Sequence, residues 1–323
     1  MRYLVTGGAG FIGSHLVDAL LARGDEVIAL DDLSTGNHGN ISQHIGNPKF
    51  EFLLGSILNA DVVDDAVRRV DEVFHLAAAV GVNLIVDRPL ESLATNIRGS
   101  EIVLEKAYKH GRPILVTSTS EIYGKNTSDS LGEDDDRILG SPLKTRWSYS
   151  EAKAIEEVLA YSYWKNKGLP TRIVRLFNTV GPRQVGMYGM VVPRFVESAL
   201  LGKDVTIYGT GDQTRCFGHI EDIIKGLIMV ADSPNTIGNV VNLGNTFEIS
   251  INDLAQRIID KTKSSSKITH IPYDEAYESG FEDMQRRVPN IERVEKLVGW
   301  KPEKNIDEII EAVSADILNR ISH

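Results

Sequence analysis

A single cysteine, Cys216, stands in a chain of 323 residues, which excludes an intrachain disulfide and a cysteine metal cage. No His/Cys/Asp/Glu pattern suggests a metal site, and none is expected. Apolar runs are short. None approaches the roughly 18 residues needed to cross a bilayer, so no membrane association is expected. Positive charge is also scarce: 35 Lys and Arg stand against 45 Asp and Glu, a formal net charge of -10. That balance argues against nucleic acid or an anionic membrane as the main partner. The opening Met1-Arg2-Tyr3-Leu4-Val5 runs straight into a glycine turn, not an apolar signal segment. A cytoplasmic location is expected. There is no internal repeat and no low-complexity tract, since Ser264-Ser265-Ser266 is only loop-sized.

What is present is ordinary for a folded chain. Hydrophobic residues make up 42% and charged residues 25%, so wholesale disorder is excluded. The length suggests about two domains at roughly 150 residues each. Tyr3-Leu4-Val5 reads as a strand, and a helical stripe with Leu16, Ala19 and Leu20 follows over His15 to Ala22. Strands are expected again at Glu26 to Leu30, Phe50 to Leu54, Glu72 to Leu76, Pro113 to Val116, Thr171 to Leu176 and Asn239 to Asn242. Helices are expected over Ala60 to Val70, Leu93 to Lys109, Ser150 to Lys165 and Glu221 to Ala231. Near-continuous apolar strands alternating with helices indicate an α/β fold with a parallel sheet covered on both faces. Beyond Pro182 the alternation loosens, and from Ile251 the chain is rich in helix.

Gly7-Gly8-Ala9-Gly10-Phe11-Ile12-Gly13 follows the first strand and opens the first helix. In that context Gly7 allows the sharp turn, Gly10 lets backbone N–H groups approach a pyrophosphate, and Gly13 lets the helix pack closely. Asp31 and Asp32 end the second strand, where a carboxylate accepts from adenosine ribose hydroxyls and repels a 2′-phosphate. NAD is therefore favoured over NADP.

Tyr149 and Lys153 are four residues apart at the start of a predicted helix, on one face. At about 4 Å and an effective dielectric near 20, an ammonium attracts a phenolate by roughly 4 kcal/mol, about three pKa units. Lys153, with the positive nicotinamide ring pushing the same way, is thus expected to make the Tyr149 phenol acidic enough to take a hydroxyl proton while hydride leaves the same carbon. The run Thr117-Ser118-Thr119-Ser120-Glu121 follows a buried strand, at the end of a parallel sheet where ligands bind.

These features together resemble the extended short-chain dehydrogenase/reductase family, with His75-Leu76-Ala77-Ala78 and Phe177-Asn178-Thr179-Val180-Gly181-Pro182-Arg183 adding to the match. The resemblance covers nearly the whole chain. It implies a Rossmann-type doubly wound parallel sheet and a smaller mixed α/β C-terminal substrate domain. The sheet domain would span 1–178 and about 213–245, and the substrate domain about 179–212 and 246–323. It implies NAD contacts at Gly7, Gly10, Phe11, Ile12, Gly13, Asp31, Asp32, Ser56, Ile57, Leu76, Ala77, Ala78, Asn96, Tyr149 and Lys153. Ser56 stands where an Asp commonly touches the adenine. A UDP-sugar substrate would meet Asn178, Arg194, Arg215 and Tyr277. The two long helices resemble a pair that forms a four-helix homodimer interface in the family.

Thr119-Ser120-Glu121, Thr145-Arg146-Trp147-Ser148-Tyr149, Thr214-Arg215-Cys216-Phe217 and Glu282-Asp283-Met284-Gln285-Arg286-Arg287-Val288-Pro289 look like UDP-glucuronate decarboxylases. That likeness implies Tyr149, Lys153, Thr119, Ser120, Glu121 and Arg287 as catalytic residues, with Arg287 near the reacting sugar. Oxidation at C4 makes the C6 carboxylate a β-keto acid, so CO2 leaves readily and gives UDP-xylose or a UDP-4-keto-pentose. A UDP-glucose or UDP-glucuronate 4-epimerase and a 4,6-dehydratase stay open as alternatives. So does a non-catalytic NAD-binding regulator, although an intact Tyr149 and Lys153 argue against it. The stretch Ala79 to Val86 matches neither the proline-containing loop of xylose-forming decarboxylases nor that of glucuronate 4-epimerases.

Overall fold

The computed structural model describes residues 1–79, 89–186, 190–276 and 284–322. Six strands come in the expected order: β1 Arg2–Thr6, β2 Glu26–Asp31, β3 Phe50–Leu54, β4 Glu72–His75, β5 Ile114–Thr119 and β6 Thr171–Leu176. With the strand Val240–Leu243 they form one seven-stranded sheet, whose order is Val240–Leu243, β6, β5, β4, β1, β2, β3. Every pairing in it is parallel. The order reverses between β1 and β4. Crossovers on either side of that point leave to opposite faces, so a crevice opens at the carboxyl ends of these two strands.

Each face of the sheet is sealed by helices, as the unbroken apolar strands require. On one face Leu16, Val17 and Leu20 of the helix Phe11–Ala22 pack with Ile220, Ile223 and Leu227 of the helix Ile220–Asp232, and Trp300 closes the cluster. On the other face Val63 and Val67 meet Val103, Leu104 and Ala107. A separate core lies in the later part of the chain, where Phe195, Val196, Leu254, Ile258, Ile309 and Val313 interdigitate. Its helices start cleanly. Ser250 caps Ile251–Thr262 by accepting from the Asp253 N–H, and Asn305 and Glu308 form a reciprocal capping box at the head of Ile306–Ile321. Small sheets, pairing Val205–Tyr208 with Ile268–Ile271 and Thr214–Cys216 with Glu248–Ser250, lie in the same region.

Two helices differ from the sequence expectation in ways that bear on the site. The helix expected over Leu93 to Lys109 is interrupted: Pro89–Leu93 and Ser100–Lys109 are α-helical, with a π-helical turn at Ala94–Gly99 between them. The wider turn buries Asn96 and lets it grip the backbone of Ala79, accepting from the Ala79 N–H at 2.7 Å and donating to its carbonyl at 3.1 Å. The second long helix begins earlier than expected and runs Ser148–Lys167, ending on Gly168 in the left-handed region at φ +72°. Among the described residues no helix is long and apolar enough to cross a membrane.

Candidate active site

The crevice opens into a cavity of about 800 Å³ that runs from the glycine turn to the later core. At its first end Gly7 turns at φ +70°, and a Cβ on Gly13 would sit 2.0 Å from the Gly7 carbonyl oxygen. Both positions therefore exclude a side chain. The helix Phe11–Ala22 starts there with no capping side chain and no acid in its first turn. Its first N–H groups and its positive end are turned to the cavity, which suits a pyrophosphate. The Asp31 carboxylate accepts from the N–H groups of Ala9 at 2.9 Å and Leu33 at 2.8 Å, so it braces the glycine turn as well as lining the cavity. Burial pushes the Asp31 carboxyl up, against the pull of those two N–H donors. Asp32 lines the same end from a more exposed position.

Deeper in, Leu76, Ala77 and Ala78 continue from β4. Thr6 Oγ1 accepts from the N–H groups of Leu76 at 3.2 Å and Ala77 at 3.1 Å, tying this segment to β1. With both incoming bonds made, the Thr6 hydroxyl donates to His75 Nδ1 at 2.8 Å. His75 then carries its proton on Nε2 and donates to Ser100 Oγ at 2.9 Å. Burial, and then the Lys153 charge, push the His75 imidazole down to about 3, so it is neutral.

At the centre Tyr149 and Lys153, one turn apart on the helix Ser148–Lys167, both line the cavity and are both buried. The electrostatics correct the simple expectation. Lys153 Nζ donates to the Thr117 carbonyl at 2.8 Å and to the Glu156 carboxylate at 2.7 Å. Its charge is largely balanced below the cavity. The Tyr149 phenol is accordingly raised, not lowered, by burial first and then by the negative charges of Glu156 and Glu121. The lysine alone does not make it acidic. An oxidised nicotinamide in this cavity would push the other way, as expected from its positive ring.

Beside Tyr149 the end of β5 supplies Thr119, whose Oγ1 accepts from the Glu121 N–H at 3.2 Å and whose O–H is left to donate. Ser118 lines the cavity with a buried hydroxyl. Arg287 is 5% exposed and reaches back from the late segment to donate to Ser120 Oγ at 3.2 Å and to pair with Glu121 at 2.7 Å. Arg146, three residues before Tyr149, pairs with the other Glu121 oxygen at 2.6 Å. Burial alone would push the Glu121 carboxyl up, but Arg287 and Arg146 together outweigh it and bring it down to about 2. The cluster holds two guanidiniums and one carboxylate, so it keeps one net positive charge in a water-poor corner of the cavity.

The far end is built from Asn178, Arg194, Tyr208, Gln213, Arg215 and Tyr273. The Arg194 guanidinium lies 4.3 Å from the Tyr208 ring centre, and Asn178 is fixed by donating to the Cys216 carbonyl at 3.1 Å. Of the residues expected at the site, the structure brings together on this cavity Gly7, Gly10, Phe11, Ile12, Gly13, Asp31, Asp32, Ile57, Leu76, Ala77, Ala78, Thr119, Ser120, Glu121, Tyr149, Lys153, Asn178, Arg194, Arg215 and Arg287. Two are placed differently. Gly55 and Ile57 line the cavity on either side of Ser56, whose hydroxyl accepts from the Leu58 N–H at 3.3 Å. Asn96 lies behind the wall and acts through its grip on Ala79. Tyr277 and most of the Ala79 to Val86 stretch lie outside the described residues. Arg146, Glu156, Tyr208 and Tyr273 were not expected. Arg146 had a visible signal in its spacing from Tyr149, whereas Tyr208 sits in a four-residue strand that resembles many others.

Residues 4–313 match the family described as GDP-mannose 4,6 dehydratase. The UDP-N-acetyl-alpha-D-glucosaminuronate decarboxylase of Bacillus cytotoxicus is 40% identical over 93% of this chain and 92% of its own. The UDP-glucuronic acid decarboxylase 1 of Danio rerio is 37% identical over 95% of this chain and 70% of its own. Among solved structures, the UDP-glucuronic acid 4-epimerase of Bacillus cereus, crystallised with UDP-glucuronic acid and NAD, superposes with a TM-score of 0.89 and 30% identity, covering 99% of this chain and 100% of that one. The expected family holds, and the chain belongs to the GDP-mannose 4,6-dehydratase family of extended short-chain dehydrogenases/reductases.

Proposed function

We propose that this protein is an NAD-dependent decarboxylase of a UDP-linked uronic acid. The observation that carries the reading is Glu121 held between Arg146 and Arg287 beside Tyr149. A net positive pair of guanidiniums next to a phenol placed to deprotonate a hydroxyl suits a sugar that bears both a C4 hydroxyl and a C6 carboxylate. The relatives from Bacillus cytotoxicus and Danio rerio, both named as uronate decarboxylases, support the same substrate class.

NAD would be held by the glycine turn and helix start, by Asp31 and Asp32 at the ribose, and by Ile57 and Leu76 to Ala78 along its length. When bound, it accepts hydride from C4 and carries the positive charge that the phenol needs. Tyr149 takes the C4 hydroxyl proton. Thr119 donates to the C4 oxygen, and together they stabilise the negative charge that gathers there as the C5–C6 bond breaks and CO2 leaves. Arg146 and Arg287 hold the departing carboxylate. Ser120 or a water returns a proton to C5, because Glu121, at about 2, is a poor donor at neutral pH. The same low value makes Glu121 a weak base for a 4,6-dehydratase. Arg194, Arg215 and Asn178 would meet the diphosphate and uridine.

The sheet would form a cofactor domain over 1–178 and about 213–245, with the remainder a substrate domain. Ile155, Val158 and Tyr161 are exposed at three-residue spacing on the helix Ser148–Lys167, and Tyr108 is exposed on the adjacent helix. This stripe supports a homodimer through a four-helix bundle. The buried lone Cys216 fits a reducing cytoplasm.

Incubation with NAD and either UDP-glucuronate or UDP-N-acetylglucosaminuronate, followed by NMR, tests the reading. CO2 with a pentose or 4-keto pentose product supports it. A C4 epimer without CO2 replaces it with the epimerase reading. NAD binding without turnover of either sugar leaves a regulator.

A further inference from the structure

Helix positions 149, 153 and 156 place Tyr149, Lys153 and Glu156 along one stripe of the helix Ser148–Lys167. Glu156 is completely buried. One oxygen takes a hydrogen bond from Lys153 Nζ at 2.7 Å; the other lies 3.6 Å from His75 Nε2, and the nearby Ser100 hydroxyl favours the charged form. A carboxylate kept wholly out of water, with one cation and one hydroxyl to hold it, is costly, and a glutamine or an apolar residue would fill the place with less penalty. The neighbouring Glu157 shows the contrast: Arg175 grips both its oxygens, at 2.9 and 2.8 Å.

We infer that Glu156 is a positioning residue that aims the Lys153 ammonium and cancels its charge beneath Tyr149, so that the phenol can return a proton as well as take one. The inference rests on Tyr149 serving as the acid–base group proposed above. In a reaction whose hydride is taken from C4 and later given back, one phenol works in both directions. It accepts the C4 hydroxyl proton when the C4–H bond breaks, and donates it when the C4 ketone is reduced. A bare ammonium below it would hold it as phenolate and spoil the return step.

The surroundings leave this balance to two residues. On the same helix Glu156 faces Lys153, with Tyr149 above and Glu157 engaged by Arg175. From β4 it faces His75, which is neutral, so Lys153 is the one cation opposite it among the described residues. Burial pushes the Glu156 carboxyl up, while Lys153 and then the Ser100 hydroxyl, from the helix Ser100–Lys109, pull it back toward the charged form. Glu121, beyond the phenol, is matched by its two arginines. His75 links the Ser100 hydroxyl to Thr6 and hence to the Leu76–Ala77 wall, so Glu156 is anchored to the part of the cavity assigned to NAD.

The test is ultraviolet titration of the phenol in the NAD-bound protein, each variant read against its Tyr149→Phe counterpart so that one tyrosine is isolated. No substrate is needed, so the outcome is independent of which sugar is turned over. Glu156→Gln is expected to lower the Tyr149 midpoint by about one pH unit, about tenfold in proton affinity. Glu156→Asp, which keeps the charge, is expected to return it most of the way to the parent value. An unmoved midpoint in Glu156→Gln, or equal midpoints in the two variants, overturns the inference. Should Glu156→Gln not fold, Ser100→Ala removes a group that favours the charged carboxylate and is expected to lower the midpoint in the same direction; no shift, or a rise, overturns it.

Discussion

Arg287 Nη1 lies 2.7 Å from Glu121, although 166 residues separate them and the arginine comes from the late, irregular part of the chain. Glu121 lies two residues past the β5 strand end, so this contact fastens the late segment over the reacting centre. Arg287→Ala is expected to lower kcat/KM for the uronate by roughly 10² to 10³, the loss that follows removal of one partner from a buried charge pair. Arg146→Ala is expected to act similarly. NAD affinity should not change in either. Arg287→Lys is expected to recover little, because an ammonium cannot reproduce the planar two-point contact. Steady-state kinetics beside NAD fluorescence titration checks this, and unaltered uronate kinetics would remove the cluster from the mechanism.

Acid should destabilise the fold through two groups with different windows. His75 is held neutral down to about 3, against 6.5 unfolded, so the unfolded chain binds its proton first as pH falls. Stability tied to His75 is fully present above 6.5 and drains as pH falls towards 3. Glu121 at about 2 keeps its contribution above 4.5 and loses it between 4.5 and 2. Between pH 6.5 and 4.5 the His75 part amounts to about 2 kcal/mol; His15 and His219, also lowered by burial, act with it, and Glu72, raised by burial to about 7, acts against it. The loss of unfolding free energy between the two pH values, from urea titrations, is expected to be smaller in His75→Asn than in the parent by that order. An equal fall in both would assign the acid loss elsewhere.

Much of this arrangement was legible in the sequence because it depends on local rules. Apolar strands with no polar alternation require two covered faces, and a glycine turn between strand and helix leaves little choice but a phosphate cradle. The Tyr149–Lys153 spacing gave the helix face. What stayed hidden was buried charge. A glutamate in a helix ordinarily faces water, so nothing in Ser-Glu-Ala-Lys-Ala-Ile-Glu-Glu marks Glu156 as a core residue or reveals that it takes up the charge of Lys153. The π-helical turn at Ala94–Gly99 was equally invisible, since a shifted hydrogen-bond ladder has no compositional signature. Ser56 and Asn96 rested on resemblance alone, and their side chains serve the cavity wall from behind.

The acidic end of β2 bears on cofactor choice. Asp31 has both oxygens engaged by Ala9 and Leu33, whereas the more exposed Asp32, among the described residues, accepts only from the Ser34 N–H at 3.0 Å. Asp32→Ser is expected to reduce the preference for NAD over NADP by about tenfold while the protein stays folded, as one like-charge repulsion of about 1.4 kcal/mol is lifted. Asp31→Ser should weaken both cofactors, because it also unbraces the glycine turn. Paired calorimetric titrations with NAD and NADP distinguish the two, and an unchanged ratio in Asp32→Ser would leave the discrimination to Asp31.

Val158 is 64% exposed, between Ile155 at 42% and Tyr161 at 41%, on the helix whose first turn carries Tyr149. Burial of such a stripe against a second copy would remove several large apolar side chains from water, at about 25 cal/mol per Å² of apolar surface. A carboxylate at the middle of that contact would meet its own copy in a dry interface, where like charges repel and desolvation adds to the cost. Val158→Asp is therefore expected to sediment as a monomer at micromolar concentration where the parent sediments as a dimer, with its circular dichroism unchanged because the position faces away from both sheet cores. A parent that sediments as a monomer, or a variant that still dimerises, would move the interface off this helix pair.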